Sequence, residues 1–289
     1  MKVSAFTFIR NAVTLGFPAV ESIRSVLPIC DEFVVNVGQS DDGTLELIRS
    51  LGEPKIRIIE SRWNERMQVK GFVYAQQTAI AQYNCTGDWA FYLQGDEVVH
   101  EDELKTIHAS MERHLGNPEV EALVFNYLHF YGNHATYLDS PGWYRSEARI
   151  IRNTIRSISP SDGLFWTVLD TNRKGHYPKA AMTGARIFHY GWVRSEEQMR
   201  EKSRQVSKYW EGGDPYEISY ADIDPQILRE FTGTHPAVMK GWLPAEPVPF
   251  APNPSYRLSR RDRRYRLKMA LERLFGLDMS KKHYRIVAR

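Results

Sequence analysis

The first 115 residues alternate short apolar runs with longer segments in which apolar residues recur every three or four positions. Runs of this length, bounded by turn residues, predict buried strands at residues 3–9, 32–37, 55–60 and 89–93. The periodic segments predict helices at residues 18–26, from about residue 45, at 71–83 and at about 101–115. Strands and helices that alternate at short intervals predict a mostly parallel sheet covered by helices on both faces.

The pattern changes after residue 115. Residues 120–131 and 147–153 are extended and rich in aromatic side chains, with turn residues between them. Residues 154–184 are predicted to be loop, and a loop of this length is typical of a binding segment or a lid. A further strand at 185–194 leads into a helix at 195–210, which Ser195 and Gln198 start as a capping pair. Residues 212–254 are predicted to be an extended wrapping segment.

Polar residues follow two of the predicted strands directly. The sequence Gln94-Gly95-Asp96-Glu97 ends the strand at 89–93, and the loop 38–44 ends the strand at 32–37. Open α/β sheets bind ligands at the carboxyl ends of their strands. Mg²⁺ often bridges one or two carboxylates to substrate phosphates, so Asp96 and Glu97 predict a metal-diphosphate site. The loop 38–44 either receives a nucleotide at the following helix N-terminus or is only a strand-to-helix turn.

Charge is distributed unevenly along the chain, although the net charge is only +3. Twelve of the 38 Lys and Arg residues, but only three of the 35 Asp and Glu residues, lie between Ser255 and Arg289. Within this tail, Leu267, Leu271 and the pair at 274–275 share one face of a basic helix. Such a helix is typical of a membrane surface contact, and docking of the tail on the body is the alternative. No nucleic acid partner is expected.

Composition sets the broad class. Hydrophobic residues make up 42 % and charged residues 25 % of the chain, as in ordinary globular proteins. The two cysteines, Cys30 and Cys85, do not indicate a disulfide framework. A strand at residues 3–9 leaves no room for a signal peptide, and no apolar run is long enough for a membrane span. We therefore expect a cytoplasmic protein with peripheral contact at the inner face of the membrane.

Three motifs together resemble those of family-two-type glycosyltransferases with the GT-A fold. They are the first strand ending in an Asn (residues 6–11), the nucleotide loop ending Ser-x-Asp-Gly-Thr (40–44) and the metal motif (94–97). The likeness covers about residues 3–100 well and extends to about 210. It implies a Rossmann-like, mostly parallel central sheet flanked by helices, with a C-terminal helical extension. The glycosyltransferase domain would span 1–210, with a nucleotide-binding half to about 100 and an acceptor-side half beyond, and 211–289 would be the wrapping segment and tail.

The resemblance also implies roles for individual residues. Asp96 and His189 would hold Mn²⁺ or Mg²⁺, and Arg194 and Lys202 would clamp the leaving diphosphate. The residues implied in binding the nucleotide sugar are Thr7, Arg10, Asn11, Gln39, Ser40, Asp42, Gln77, Gln94, Gly95, Arg149, Arg194 and Lys202. The sequence departs from the family at two points, because Val37-Gly38 and Gln94 stand where the family has acids.

Inversion by single displacement needs a general base that takes the proton of the acceptor hydroxyl. The candidate is Asp162, in the long loop, with Glu147 and Asp170 as rivals, and Glu97 is the second candidate catalytic residue. The predicted activity is metal-dependent, inverting transfer of a hexosyl-type sugar to a saccharide or lipid-linked acceptor of the cell envelope, as in polysaccharide biosynthesis. The acceptor would lie under residues 130–175.

Two other functions are compatible with the sequence. One is a catalytically impaired GT-A-like protein that binds a sugar or nucleotide. The two departures from the family pattern favour this alternative. The other is a nucleotidyltransferase, which would need a Gly-rich phosphate loop after the first strand, where Arg10-Asn11-Ala12-Val13 stands instead.

Overall fold

The computed structural model describes residues 1–171, 174–210, 213, 215 and 217–288. In these ranges the helices are α1 Ala19–Val26, α2 Thr44–Arg49, α3 Phe72–Gln82, α4 Leu104–Leu115, α5 Glu196–Ser207 and α6 Arg260–Phe275. The strands are β1 Val3–Ile9, β2 Glu32–Gly38, β3 Ile56–Ser61, β4 Trp89–Tyr92, β5 Glu97–Val99, β6 Ala122–Tyr131, β7 Asn133–Leu138, β8 Ser146–Arg152, β9 Ser157–Ile158, β10 Thr167–Leu169, β11 Gly175–His176, β12 Lys179–Trp192, β13 Leu228–Glu230 and β14 Arg285–Ala288. The helices and strands predicted up to residue 115 are confirmed to within a few residues at their ends.

The central sheet is mixed. Its main path runs β13-β7-β6-β8-β4-β1-β2-β3, and β12 joins it through β6 while also pairing with β5 and β14. The segment β4-β1-β2-β3 is parallel. The pairs β4/β8, β6/β8, β6/β7, β7/β13 and β5/β12 are antiparallel.

The prediction of a mostly parallel sheet therefore holds for β4-β1-β2-β3 but not for the whole sheet, because the second half combines the parallel pairs β6/β12 and β12/β14 with several antiparallel ones. Strand–helix alternation stops after α4, and β6 turns directly into β7 at Gly132, which has a φ of +72°. A chain that reverses in so short a turn forms an antiparallel hairpin, whereas a parallel pair needs a crossover of a dozen or more residues.

The first strand lies at the centre of two hydrophobic layers. Val3, Ala5 and Ile9 on one face of β1 belong to the layer that includes α1, α2 and α4. Phe6 on the opposite face packs in a second layer with α3 and Trp166. Because β1 is covered on both faces, it is apolar along most of its length, and this is why the sequence shows it so clearly.

The segment predicted as loop, residues 154–184, contains more order than its sequence suggests. A small antiparallel sheet, β11-β10-β9, lies within it, and β12 begins at Lys179 rather than at residue 185. Strand β7 was also missed, because Asn133, His134 and Thr136 interrupt its apolar pattern. Short strands with polar residues on both faces carry little periodic signal.

The C-terminal tail docks on the body. Met269 of α6 is buried, Glu272 pairs with Arg145 at 2.7 Å, and Arg266 pairs with Asp224 at 2.7 Å. Strand β14 then pairs in parallel with β12. This docking leaves Leu267, Leu274, Phe275 and Leu277 exposed. The domain boundary near residue 210 stays a prediction. No helix within the described ranges is long and apolar enough to cross a membrane.

Candidate functional site

A cavity of about 280 Å³ opens at the carboxyl ends of β1 and β4. Its floor is Gln94-Gly95-Asp96, which directly follows β4, and Arg10 lies at the end of β1. Helix α5 contributes Lys202 to the wall, and the loop before β10 contributes Asp162. The carboxyl edge of the sheet is thus where the sequence predicted a ligand site.

Aromatic rings form one end of this cavity. Trp63, Tyr74, Tyr209 and Trp210 line it and pack against one another with ring centroids 5.4 to 5.7 Å apart. Gly38 makes this possible, because a Cβ at that position would lie 2.3 Å from Nε1 of Trp63. That Nε1 is buried and has no hydrogen-bond partner among the residues that the structure describes. Flat aromatic walls with one unused N–H donor, that of Trp63, suit a ligand whose ring also carries polar atoms.

The carboxylate of Asp96 lies between three basic groups. Lys202 Nζ is 3.3 Å and an Arg194 nitrogen 3.8 Å from its Oδ2, while Nε2 of His189 is 3.7 Å from its Oδ1. Burial opposes the charge of Asp96, yet Lys202, His189 and Arg194 together hold its pKa below the ordinary value. Burial, reinforced by Arg194, lowers the pKa of Lys202 to about 8. Asp96 is therefore a carboxylate, and the positive charge around it exceeds its own.

The donor atoms of Asp96 and His189 fit a divalent cation. Both side chains turn toward each other, and a Cβ on Gly191 would lie 2.6 Å from His189 Nε2 and 3.0 Å from Asp96 Oδ2. The glycine thus keeps open the space that an ion would need. In the described part of the chain, no three His, Cys, Asp or Glu side chains converge on one point. Substrate oxygens and water would have to supply the other ligands, as is usual for Mg²⁺.

Glu97 lies beneath the floor rather than in the cavity. It is fully buried and accepts hydrogen bonds from Arg149 Nη2 at 2.8 Å and from the Tyr127 hydroxyl at 2.8 Å. It also accepts a bond from the backbone N–H of Gln94 at 3.1 Å. Burial opposes the charge of Arg149, but Glu97 holds its pKa well above the ordinary value. Glu97 and Arg149, predicted as catalytic and donor-binding residues, are placed here as support for the floor.

Asp162 lies on the cavity, and its rivals do not. It occupies a turn with Gly163, whose carbonyl accepts a 3.5 Å bond from Gln94, and Arg149 binds the next carbonyl, that of Leu164, at 2.8 Å. The turn is thereby tied to the floor. Glu147 is instead fully buried against His283, and Asp170 binds His176 in the small sheet.

The loop 38–44 is used to hold the chain after β1. Ser40 accepts a bond from Asn11 N–H at 3.0 Å, and Asp42 accepts one from Thr14 N–H at 2.8 Å. Thr44 Oγ1 accepts from Ala12 N–H at 2.8 Å. These side chains do not line the cavity. Among the alternatives left open for this loop, the geometry favours a structural turn.

Only some of the residues predicted to bind the nucleotide-sugar donor line the cavity. Arg10, Gln94, Gly95 and Lys202 line the cavity. The following predicted residues lie outside its lining: Thr7, Asn11, Gln39, Ser40, Asp42, Gln77, Arg149 and Arg194. Of these, Gln77 is buried against Asn36, and Asn11 binds Gln205. Arg194 stays relevant, because it lies 3.8 Å from Asp96.

Sequence reasoning missed the aromatic end of the cavity and His129. Trp63, Tyr74 and Tyr209 come from three separate segments, so no local motif connects them. His129 pairs directly with His189 across β6 and β12, and their Nδ1 atoms are 3.0 Å apart. That pairing depends on the parallel register of two distant strands. The one available signal was the Tyr209-Trp210 pair at the end of a predicted helix.

We predict that Glu97→Gln destabilises the fold before it affects any chemistry. The substitution leaves the Arg149 guanidinium buried without a counter-charge, which typically costs about 3–5 kcal/mol. Urea unfolding followed by tryptophan fluorescence measures the change. The matched control is Glu197→Gln on the exposed first turn of α5, for which we expect a change within about 0.5 kcal/mol. Wild-type stability of Glu97→Gln would contradict the structural role.

Comparison with known proteins gives only distant likenesses. No family model and no curated protein matches the sequence. Among solved structures, S. aureus TarS aligns at 15% identity and a TM-score of 0.40, over 72% of this chain and 39% of TarS. TarS 1-349 in complex with UDP aligns at 16% identity and a TM-score of 0.40, over 75% and 68%. Mannosyl-3-phosphoglycerate synthase from Rubrobacter xylanophilus aligns at 18% identity and a TM-score of 0.32, over 45% and 41%. The chain thus spans about two fifths of the length of the first of these.

Proposed function

We propose that this chain is a GT-A-type glycosyltransferase that moves a sugar from a nucleotide-diphospho-sugar to an acceptor hydroxyl, with inversion. One observation carries the proposal. The lining of a single cavity combines an aromatic end, the Asp96 carboxylate set among cations and a second carboxylate, that of Asp162. A nucleotide sugar has the same three parts in sequence: a flat base, a diphosphate and a reacting sugar.

The aromatic end suits the nucleobase. Trp63 and Tyr74 offer ring faces, and the free Nε1 of Trp63 can donate to a base or ribose oxygen. The family's acids at the start of the nucleotide loop are absent here, as Val37 and Gly38 show. Trp63, packed over Gly38, occupies the space that a side chain at that position would need. Base recognition in this chain is therefore assigned to the aromatic end.

The basic groups around Asp96 suit the diphosphate. Lys202 and Arg194 lie within 4 Å of its carboxylate, and within the described ranges the buried Nη2 of Arg194 has no hydrogen-bond partner. Positive charge fixed where the leaving group gains negative charge stabilises the transition state. Asp96 and His189 would hold Mn²⁺ or Mg²⁺, which would supply further positive charge to the same phosphate oxygens.

Asp162 is positioned to act as the general base. In a single displacement the acceptor oxygen forms a bond to the anomeric carbon as the bond to the diphosphate oxygen breaks. The leaving diphosphate keeps the bonding electron pair, and the hydroxyl proton passes to the Asp162 carboxylate. The acceptor would enter from the side of the loop that carries Asp162. A saccharide or lipid-linked acceptor of the cell envelope is the class that the proposal includes.

A catalytically impaired binding protein is the second candidate function. Gln94 stands where the family has an acid, and it is engaged with the carbonyl of Gly163. A nucleotide that binds without any release of product from a matching donor would favour this candidate.

The tail supports a further proposal, contact with an anionic membrane surface. Leu267, Leu274, Phe275 and Leu277 stay exposed after α6 has docked, in a segment rich in arginine. Apolar side chains set among basic ones are typical of helices that lie in the lipid interface. Since docking uses the opposite side of α6, the helix can contact lipid without leaving the body.

The diphosphate site predicts a selective loss of affinity in Lys202→Gln. Thermal shift with UDP, GDP, ADP and dTDP, with and without Mn²⁺, identifies the nucleotide. A ligand at about 100 times its dissociation constant stabilises the fold by about 2.7 kcal/mol. Lys202→Gln removes a charged donor and should weaken binding by about 10- to 100-fold. Arg200→Gln, on the exposed side of the same helix, is the control and should bind normally. Absence of binding by all four nucleotides would overturn the proposed function.

The general-base assignment predicts a loss of rate without a loss of donor affinity. Asp162→Asn should lower the rate of nucleotide release from the matching donor by about 10²- to 10⁴-fold, because no group then takes the proton. Water serves as the acceptor in this measurement. Asp170→Asn is the control and should keep the wild-type rate. A wild-type rate for Asp162→Asn would remove Asp162 from the mechanism.

Membrane contact predicts that the exposed face of α6 governs binding to vesicles. The full chain should co-sediment with vesicles that contain phosphatidylglycerol and much less with neutral vesicles. The double variant Leu274→Ser and Phe275→Ser should bind at least about tenfold more weakly, since each apolar side chain buried contributes roughly 1.5–3 kcal/mol. Val248→Ser, at an exposed site outside α6, is the control. Equal binding of the double variant and the full chain would refute the contact.

A further inference from the structure

His129 forms a buried hydrogen-bonded relay with His189. The two residues are direct neighbours across the parallel pair β6/β12, so their side chains leave the sheet on the same face. Nε2 of His129 is 2.7 Å from the backbone carbonyl of Tyr144, and its Nδ1 is 3.0 Å from Nδ1 of His189. The rings of Tyr127 and Tyr144 pack on His129 with centroids 5.2 and 4.6 Å away. The relay is therefore fixed in orientation by packing as well as by hydrogen bonds.

The directions of these hydrogen bonds follow from the carbonyl at one end. A carbonyl oxygen only accepts, so Nε2 of His129 carries a proton and donates it. In a neutral ring, Nδ1 of His129 is then an acceptor, and Nδ1 of His189 must donate to it. The proton of His189 is thus on Nδ1, and its Nε2 keeps a lone pair. His129 is buried, and its two ring nitrogens contact a carbonyl and another imidazole rather than a carboxylate, so nothing at this ring favours a second proton.

The lone pair of His189 faces another acceptor. Its Nε2 is 3.7 Å from Oδ1 of Asp96, a distance too long for a hydrogen bond. Two acceptors that are turned toward each other repel unless a cation lies between them. Oδ2 of Asp96 is engaged with Lys202, which leaves Oδ1 for that cation. A Cβ on Gly191 would lie 2.6 Å from Nε2 of His189, so the glycine keeps the space beside that nitrogen clear.

We propose that His129 is a positioning residue that fixes His189 in the tautomer able to bind a divalent cation together with Asp96. The inference deepens the proposed function, because it concerns the metal of the same site. Groups that hold the second nitrogen of a metal-binding histidine commonly change metal affinity by 10- to 100-fold when they are lost. In such sites a carbonyl or carboxylate usually plays this part. Here a second histidine carries the effect from the Tyr144 carbonyl to His189.

The first test reads the tautomer directly, without metal or substrate. Long-range ¹H–¹⁵N NMR of the full chain with labelled histidine distinguishes Nδ1–H from Nε2–H rings, and a His189→Gln spectrum assigns the signal of His189. We expect His189 to be protonated at Nδ1 and unprotonated at Nε2. A wild-type His189 that carries its proton on Nε2 overturns the proposal.

The second test measures Mn²⁺ affinity by calorimetry with no nucleotide present. His129→Leu removes the acceptor for His189 and should weaken binding about 10- to 100-fold. His129→Asn places an amide oxygen near the position of Nδ1, so it should retain affinity within about threefold. His108→Leu, at a partly exposed site on α4, is the control and should bind as the wild type does.

The outcomes separate this inference from the proposed function. Equal Mn²⁺ affinity in the Leu and Asn variants, or no Mn²⁺ binding by the wild type, overturns the relay. If His129→Leu does not fold, the Asn variant and the wild-type tautomer decide the question. Mn²⁺ binding that depends on His129, in a protein that binds no nucleotide, would instead sustain the relay and refute the glycosyltransferase.

Discussion

The ion pair between Glu97 and Arg149 lies fully buried beneath the cavity and connects most of its parts. Glu97 holds the backbone of Gln94, which begins the floor, and Arg149 holds the carbonyl of Leu164 in the loop that carries Asp162. The rings of Tyr92 and Tyr127 lie 5.6 and 5.4 Å from the guanidinium. Buried charges are costly unless they are paired and fully hydrogen-bonded. The same requirement that keeps this pair together therefore keeps the two carboxylates of the cavity in fixed positions.

The part of the fold that the sequence revealed is the part whose strands are covered on both faces. β1, β2 and β4 are nearly continuous apolar runs, and α1 between them has a clear helical periodicity. Beyond α4, β6 and β8 are also largely buried and were predicted as extended, but no helix separates β6, β7 and β8, and the apolar pattern alone does not specify their direction. β6 pairs with β12 along one edge and with β8 and then β7 along the other. These pairings depend largely on contacts between segments far apart in the chain, which local patterns do not encode.

The candidate site shows the same division. Asp96, Lys202 and Asp162 were predicted from strand ends and from the family resemblance, and they meet around one cavity. Glu97 was equally prominent in sequence, yet one residue beyond Asp96 the chain enters β5 and turns that side chain inward. Whether an acid faces solvent or the core depends on where a strand begins, and sequence patterns define such boundaries poorly. Trp63 and His129 became visible only through tertiary contacts.

The close packing of Trp63 on Gly38 makes these two positions dependent on each other. Every residue other than glycine at position 38 would place a Cβ 2.3 Å from Nε1 of Trp63. An acid is therefore tolerated at 38 only after Trp63 has been replaced by a smaller residue. Replacing Trp63 first removes an aromatic wall of the cavity before anything compensates for it. Substitution at either site is thus constrained by the residue at the other. One close contact therefore restricts the order in which substitutions at these two positions can be accepted.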